Sequence, residues 1–183
     1  MANMDSDLTR WINSFAGSNT FLDRAMVAVT QFGLPLMIAL VVLQWWSRPD
    51  RMRVRHAAVS AGLAFLLGLG VNQIILLFVH RVRPFDAGVS HLIIARSGDW
   101  SFPSDHATAV AAIVAAFGMK GFHGRASALA VLALLVWVSR VYVGTHYVTD
   151  VLGGAAIGIL AAHAVGLAYR EGAKLDRFLT GIL

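Results

Sequence analysis

The sequence contains no cysteine and little charge: none of its 183 residues is Cys, and Asp, Glu, Lys and Arg together make up 14%. Without cysteine, neither disulfides nor thiolate metal sites contribute to the stability or the chemistry of the protein. A soluble domain of this size needs far more polar surface to cover its core. The low charge therefore excludes an ordinary soluble globular protein.

Apolar residues take the place of the missing charge. They account for 57% of the chain, and the mean hydropathy is +0.67. They gather in runs of roughly 20 residues, the length at which a helix crosses a bilayer. The runs predict five membrane-spanning helices, at about 21–46, 57–79, 104–119, 126–143 and 148–168. We expect an all-α, polytopic membrane helix bundle that forms a single domain over residues 1–183.

Two smaller features refine this bundle. Residues 4–17 are too polar to span a membrane, but Leu8, Trp11 and Phe15 recur there at helical spacing. That pattern predicts an N-terminal amphipathic helix lying in the membrane interface. In the last span, Gly154 and Gly158 form a G-x-x-x-G pair, which is typical of close packing between membrane helices.

The net charge of +5 is explained by topology. Five spans place the 47–56 loop, the 120–125 turn and the C-terminal tail on one side, which holds nine of the fifteen Lys and Arg residues. Short loops dense in Lys and Arg stay in the cytoplasm. The N-terminus, the 80–101 loop and the 144–148 turn then face outward. We therefore expect no nucleic-acid partner.

Three polar clusters lie at the predicted outer ends of the spans. They are His80–Pro84 after the second span, Phe102–His106 at the start of the third, and Ser139–Asp150 between the fourth and fifth. Ionisable residues at membrane depth are costly and usually functional, particularly when they gather. Since the span count brings the clusters to one face, they predict a single site.

Two histidines and an aspartate in these clusters are suited to nucleophilic catalysis. His146 and Asp150 are four residues apart, so at a helix start they lie on the same face. A carboxylate there can accept the proton on one imidazole nitrogen and leave the other nitrogen free to attack. His106 supplies a second imidazole, suited to protonating a departing oxygen. Each residue alone also has an ordinary explanation, as an interfacial histidine or a charge at a helix start.

The same clusters contain groups that bind phosphate. Arg83 and Arg140 enter from different helix ends, and two guanidinium groups can bind the oxygens of one phosphoryl group. Ser104 precedes a helix, where free N–H groups and the helix dipole favour an anion. A lone arginine at a helix end more often reaches lipid headgroups, and a lone serine is usually an N-cap. The joint occurrence of these residues at one face favours the site.

The clusters resemble the signature blocks of the type 2 phosphatidic acid phosphatase family. The matching segments are R-P at 83–84, P-S-D-H at 103–106 and S-R-V-Y-V-G-T-H-Y-V-T-D at 139–150. The third fits the family pattern S-R-x5-H-x3-D at every defined position. The matches keep the family's order and spacing, and the span count agrees over the rest of the chain.

This resemblance implies a phosphatase that uses neither a metal nor another cofactor. His146 would attack phosphorus, His106 would protonate the leaving group, and water would hydrolyse the phosphohistidine, with Asp150 behind His146. The residues implied to hold the phosphate are Arg83, Arg140 and Ser104. No other set of histidines and carboxylates in the sequence has metal-ligand spacing, which agrees with the absence of a metal.

One position departs from the family pattern. The first block of the family usually reads K-x6-R-P, but Leu76 occupies the lysine position here. Arg81, two residues before Arg83, is a candidate substitute that would bind the phosphate. An interfacial arginine facing the lipid headgroups is an equally good interpretation of Arg81.

Within the family, the short chain, the R-P-F and F-P-S-D-H-A-T segments and Asn72 resemble most the bacitracin-resistance type of undecaprenyl pyrophosphate phosphatase. This implies hydrolysis of a membrane lipid, undecaprenyl diphosphate, at the periplasmic or extracellular side of a bacterial inner membrane, which recycles the lipid carrier of cell-wall synthesis. A phosphatidic acid or phosphatidylglycerophosphate phosphatase is the alternative within the class. A non-catalytic anion-binding or transport protein is the alternative outside it. The sequence leaves the oligomeric state open.

Overall fold

The computed structural model describes residues 2–182, which form seven α-helices and one short 3-10 turn, with no strand among them. The helices are α1 (Ala2–Asn13), α2 (Thr20–Leu43), α3 (Arg51–Leu76), α4 (Asp105–Met119), α5 (His123–Tyr142), α6 (Val148–Ala168) and α7 (Lys174–Thr180). The 3-10 turn, Gln44–Trp46, continues α2. The predicted all-α class is confirmed.

Within residues 2–182, four helices are long and apolar enough to cross a bilayer: α2 with its 3-10 turn, α3, α5 and α6. The third predicted span, α4, has only 15 residues. At about 1.5 Å per residue it is about 22 Å long, shorter than a hydrocarbon layer of about 30 Å. It is packed between α3, α5 and α6, which shield it from lipid. The predicted multi-span bundle is therefore confirmed, with α4 as a short central helix whose N-terminus lies below the end of the bundle.

Small residues let α6 approach α4 closely. A Cβ atom on Gly158 would lie 2.2 Å from the carbonyl O of Thr108, and one on Gly154 would lie 2.5 Å from the carbonyl O of Ser104. Backbone atoms cannot rotate out of the way as a flexible side chain can, so glycine is required at both positions. The predicted G-x-x-x-G pair thus fixes the start of α6 against the start of α4.

Helix α1 lies across the end of the bundle at which α5 ends and α6 begins. Its polar face contacts the protein: Thr9 Oγ1 accepts a hydrogen bond from the Val148 N–H at 3.2 Å, and Asn13 Nδ2 donates to the Tyr142 carbonyl at 2.7 Å. Its exposed large apolar residues are Met4, Leu8 and Trp11, and Phe15 follows just after its end. The predicted N-terminal amphipathic helix is confirmed, and its apolar side faces away from the bundle.

The opposite end of the bundle differs from the prediction in two elements. The basic segment after the first span is already helical from Arg51, because no Pro or Gly follows Pro49 in that segment. At the other end of the bundle, which carries α1, α3 stops at Leu76 rather than at residue 79. The C-terminal tail contains α7, which folds back on α3. Asp176 of α7 lies 2.8 Å from Nδ1 of the buried His56 and accepts a hydrogen bond from the Tyr169 hydroxyl at 2.6 Å.

Candidate active site

The three polar clusters meet at the end of the bundle that carries α1. The N-terminus of α4, the C-terminus of α5 and the segments beside them enclose a cavity of about 130 Å³. Its lining residues are Leu76, Arg83, Ser97, Asp99, Pro103, Asp105, His106, Arg140 and His146. The structure therefore brings both predicted histidines and two of the predicted phosphate-binding arginines to one cavity.

The link between α5 and α6 places His146 through one tight turn. Gly144 has a φ of +86°, in the left-handed region that favours glycine. A Cβ atom there would also lie 2.5 Å from the carbonyl O of His91. After this turn the N–H groups of Thr145 and His146 reach back to the carbonyl O of Arg140, at 3.2 and 3.3 Å. The turn thereby holds His146 next to the end of α5.

The hydrogen bonds of His146 determine which of its nitrogens is reactive. Nδ1 lies 2.8 Å from the carbonyl O of Ser101. Because a carbonyl oxygen can only accept, Nδ1 carries the proton and Nε2 keeps its lone pair. Nε2 lies 3.4 Å from Nη1 of Arg83 in the wall of the cavity. Sequence reasoning missed Ser101, since a main-chain acceptor leaves no signal in the residue type.

Asp150 acts on His146 through Ser101 rather than by direct contact. Asp150 is fully buried in the first turn of α6, and its Oδ2 lies 3.7 Å from Nδ1 of His146, too far for a hydrogen bond. Oδ2 accepts instead from the Ser101 hydroxyl at 2.5 Å and from the Tyr147 N–H at 2.9 Å. The expected carboxylate–imidazole hydrogen bond is thus replaced by a bridge, because the segment with Ser101 lies between the two side chains.

The surroundings of His146 keep its ring neutral. Burial lowers the pKa of His146 to about 4, from the 6.5 of an unperturbed imidazole, and the charges of Arg140 and Arg83 act in the same direction. The nearby Asp150 opposes this shift without cancelling it. At neutral pH the imidazole is therefore uncharged, as a nucleophile must be.

Arg83 is held rigidly at the cavity. It is 4% exposed, and its Nε and Nη2 donate to the carbonyl O and to Oδ1 of Asp99, at 2.9 and 2.7 Å. Its Nη1 donates to the carbonyl O of Thr145 at 2.9 Å. Burial alone would raise the pKa of Asp99, but a hydrogen bond from Ser97 and the charge of Arg83 lower it below its usual value. The ionised Asp99 therefore orients Arg83, a role that the sequence analysis did not assign.

Arg140 and Ser104 each present a buried donor. Arg140 lies in the last turn of α5, and Ser104 is the N-cap residue of α4. Arg140 Nε and Ser104 Oγ are buried without a hydrogen-bond partner among residues 2–182. A buried donor without a partner costs about 1–3 kcal/mol. Arg140 lines the cavity, and Ser104 lies between the lining residues Pro103 and Asp105, so both side chains are placed to bind an anion there.

The start of α4 contributes His106 and is tied to α3. His106 is half-buried in the first turn of α4 and lines the cavity. The neighbouring Asp105 accepts a hydrogen bond from Nδ2 of Asn72 at 2.7 Å. Asn72, fully buried on α3, also donates to Thr108 Oγ1 at 2.9 Å. Asn72 thus fixes the position of α4 along α3, and with it the position of His106.

Arg81 does not contribute to the cavity wall. Its Nη1 donates to Oδ1 of Asp150 at 2.5 Å and to Thr149 Oγ1 at 2.7 Å, and its Nη2 donates to Asp5 Oδ2 at 2.6 Å. Its guanidinium also lies 3.9 Å from the centre of the Tyr147 ring. These bonds hold Arg81 outside the cavity lining, so the geometry does not favour the phosphate contact predicted for it.

Among the described residues, arginine side chains line the cavity, and no cluster of metal ligands does. In the described part of the chain, no group of three or more His, Asp and Glu residues has the arrangement to hold a metal ion. The two arginines at the cavity and the N-terminus of α4 all favour an anion. The arrangement can therefore bind a phosphoryl group and present the lone pair of His146 to it.

The fold and the site define an integral membrane helix bundle with a cationic cavity and two histidines at one end. Residues 57–172, more than half of the chain, match the profile of the PAP2 superfamily. The chain belongs to the PAP2 superfamily. It is accordingly a membrane phosphatase, a hydrolase that acts on lipid phosphates.

Individual relatives agree with this placement. The chain is 33% identical to undecaprenyl-diphosphatase BcrC of Bacillus subtilis (strain 168), over 86% of this chain and 80% of that protein. It is 31% identical to phosphatidylglycerophosphatase B of the same organism, over 76% and 71% of the two chains. The crystal structure of Aquifex aeolicus LpxE matches with a TM-score of 0.70 over 89% of this chain and 94% of that chain, at 24% identity. This last likeness shows the fold alone.

Proposed function

We propose that the protein hydrolyses undecaprenyl diphosphate to undecaprenyl phosphate and inorganic phosphate, without a metal, at the outer face of a bacterial inner membrane. The observation that carries this proposal is the cavity in which the unprotonated Nε2 of His146 faces Arg83 beside Arg140. The relative named undecaprenyl-diphosphatase, 33% identical over most of both chains, supports the choice of lipid. The reaction recycles the lipid carrier of cell-wall synthesis, and we connect it with bacitracin resistance.

The terminal phosphoryl group binds first. Its oxygens accept hydrogen bonds from the unpartnered Arg140 Nε and Ser104 Oγ, and Arg83 adds a positive charge beside Nε2 of His146. Phosphoryl transfer depends mainly on such positioning and neutralisation of charge. Because Asp99 and Thr145 already fix Arg83, little side-chain freedom is lost when the phosphate binds.

The chemistry then proceeds in two displacements. Nε2 of His146 attacks phosphorus and the bond to the bridging oxygen breaks. His106, which carries a proton in the complex with the anionic diphosphate, gives that proton to the departing undecaprenyl phosphate. In the second step water attacks the phosphohistidine, His106 takes a proton from this water, and Nε2 is released with inorganic phosphate. Throughout, Nδ1–H stays bound to Ser101, and the Asp150 carboxylate at 3.7 Å stabilises the charge that develops on the ring.

The proposed sidedness follows from the two ends of the bundle. The cavity lies at the end opposite the short basic loops, which favour the cytoplasm. A lipid whose tail lies in the outer leaflet brings its headgroup to that end, and the shortness of α4 leaves room for the headgroup below the surface. A diphosphate also supplies a phosphate leaving group, which departs more easily than an alkoxide.

Phosphate release from the purified protein in detergent tests this assignment. We expect faster release from undecaprenyl diphosphate than from phosphatidylglycerophosphate, equal rates with and without EDTA, and loss of release in His146→Ala. His163→Ala, which changes an exposed histidine on α6 far from the cavity, is the matched control. The relative named phosphatidylglycerophosphatase B makes a glycerolipid the second candidate substrate. Equal or faster release from that lipid would reject the first, and full activity in His146→Ala would reject the mechanism.

A further inference from the structure

We propose that the N-terminal helix α1 is part of the catalytic apparatus. Asp5 on α1 holds Arg81, and Arg81 holds Asp150 where it can support His146. Asp5 and Arg81 are positioning residues, since neither lines the cavity. The inference rests on the proposed function, because it takes His146 as the nucleophile and Asp150 as the carboxylate behind it.

Arg81 bridges two carboxylates that belong to different helices. Nη1 binds Asp150 on α6 and Nη2 binds Asp5 on α1, so one guanidinium joins the two elements. Asp150 is 0% exposed, whereas the Arg81 side chain is 31% exposed. A fully buried carboxylate is costly without a cation, and Arg81 is the cation that forms an ion pair with Asp150 among the described residues.

Asp5 is itself fixed at the start of α6. Its Oδ1 accepts from the Thr149 N–H at 3.1 Å and its Oδ2 from the Thr149 hydroxyl at 2.6 Å. Burial alone would raise the pKa of Asp5, but the hydrogen bonds from Thr149 and Arg81 lower it below its usual value. Asp5 therefore stays ionised and competes for Arg81, at a helix N-terminus that favours negative charge.

This competition determines the state of Asp150. While Asp5 binds Nη2 of Arg81, Asp150 is bound only by Nη1. The Oδ2 atom of Asp150 then remains bound to Ser101 and Tyr147. Without the Asp5 charge, Nη1 and Nη2 of Arg81 would both bind Asp150 in a bidentate ion pair. That pair would pull the carboxylate away from Ser101 and neutralise the charge that stabilises the imidazolium of His146.

The remaining contacts of α1 attach the helix to the bundle and do not position Asp150. Thr9 and Asn13 also attach the helix to the bundle, through the Val148 N–H and the Tyr142 carbonyl, and neither touches Asp150. Helix α1 therefore has anchors that survive the loss of Asp5. A change at Thr9 weakens docking alone, whereas a change at Asp5 alters the environment of Asp150.

A double-mutant cycle between Asp5 and Asp150 tests the proposal, with ³²P-labelled lipid so that low turnover is measurable. We expect Asp5→Asn to lower kcat about tenfold at unchanged KM, the coupling typical of residues in one ion-pair network. In an Asp150→Asn background the same change should lower kcat no further. Thr9→Val and Asp7→Asn, a buried and an exposed position on the same helix, should leave kcat near that of the wild type.

The opposite results are equally clear. An equal loss in both backgrounds, an unchanged kcat, or the same loss in Thr9→Val would overturn the positioning role. If Asp5→Asn does not fold, Arg81→Lys replaces it, because lysine keeps the charge but cannot bridge two carboxylates in this geometry. All rates are taken relative to wild type on whichever lipid phosphate it hydrolyses fastest. The double-mutant cycle can therefore be interpreted even if the substrate assignment is wrong. Activity that survives His146→Ala contradicts the proposed function independently of the cycle.

Discussion

At the scale of single residues, the proposed reactivity of His146 depends on two neighbours that do not line the cavity, Ser101 and Asp150. The Ser101 carbonyl places the proton on Nδ1, the Ser101 hydroxyl binds Asp150, and Asp150 in turn supplies the negative charge. Ser101 therefore joins the carboxylate to the imidazole by its main chain and its side chain together. Such an arrangement orients the His146 ring without a direct hydrogen bond to Asp150, whose carboxylate keeps its negative charge.

The low pKa of His146 leads to a prediction about pH. Lowering the pH from 7 to 5 should leave Nε2 unprotonated, because both values lie above a pKa of about 4. A titration of the ¹³C-labelled imidazole Cε1–Hε1 group, followed by NMR in detergent micelles, measures this directly. The resonance is assigned by its loss in His146→Gln, and the exposed His123 is the reference in the same spectra. A midpoint near 6.5 would show that burial does not control this ring.

Residue types and spacing predicted one part of this site and not the other. His146, Arg140 and Asp150 are placed by the ends of α5 and α6, whose geometry follows from helical spacing. Ser101 and Asp99 come from the irregular segment before α4, where spacing in sequence carries no information about position in space. Arg81 was offered as a substitute for the family lysine at Leu76, and its partner Asp5 could not be foreseen because it lies 76 residues away in the chain.

At the scale of secondary-structure elements, the position of the site depends on how α4 and α6 pack. The start of α4 holds Ser104 and His106, and the start of α6 holds Asp150. The Ser104 N–H donates to the carbonyl O of Asp150 at 3.2 Å, a direct main-chain link between the two helix ends. Any separation of the helices would therefore move the proposed phosphate donor Ser104 away from the proposed nucleophile His146.

A methyl group between these helices should disturb this packing. We expect Gly158→Ala to destabilise the protein by about 1–3 kcal/mol, the usual cost of overpacking, because its Cβ would lie 2.2 Å from the Thr108 carbonyl and 2.8 Å from the Ala112 nitrogen. Thermal unfolding in detergent measures the change. Gly166→Ala, on the same helix with no atom within 4 Å of the new Cβ, is the control and should not lower the melting temperature. Equal melting temperatures for the two variants would contradict the close approach.

The sequence predicted the bounds of some helices closely and missed others. The runs at 126–143 and 148–168 lie within two or three residues of α5 and α6, because long apolar runs have only one stable form in a bilayer. Helix α7 and the early start of α3 gave no such signal, since both are rich in charge. They are stabilised instead by tertiary contacts, such as that between His56 and Asp176, which no local pattern encodes.

At the scale of the whole molecule, charge is distributed differently at the two ends. The end with the cavity carries six basic and seven acidic residues, and the other end carries nine basic and three acidic ones. Among the described residues, four of the six arginines at the cavity end form ion pairs with carboxylates, namely Arg10, Arg81, Arg83 and Arg96. The orientation signal of the basic loops is therefore not cancelled by the arginines of the site.

The absence of cysteine makes this orientation directly testable. In Ala87→Cys, on the exposed loop beside the cavity, and Ala173→Cys, at the exposed start of α7, the introduced thiol is the only one in the chain. We expect a membrane-impermeant maleimide to label Ala87→Cys in intact spheroplasts and Ala173→Cys only after permeabilisation. The parent chain has no thiol and gives the background, and phosphate release from each variant shows that the site is intact. The reverse pattern would place the cavity in the cytoplasm, where it would meet only lipids of the inner leaflet, and the proposed recycling at the outer face would then be wrong.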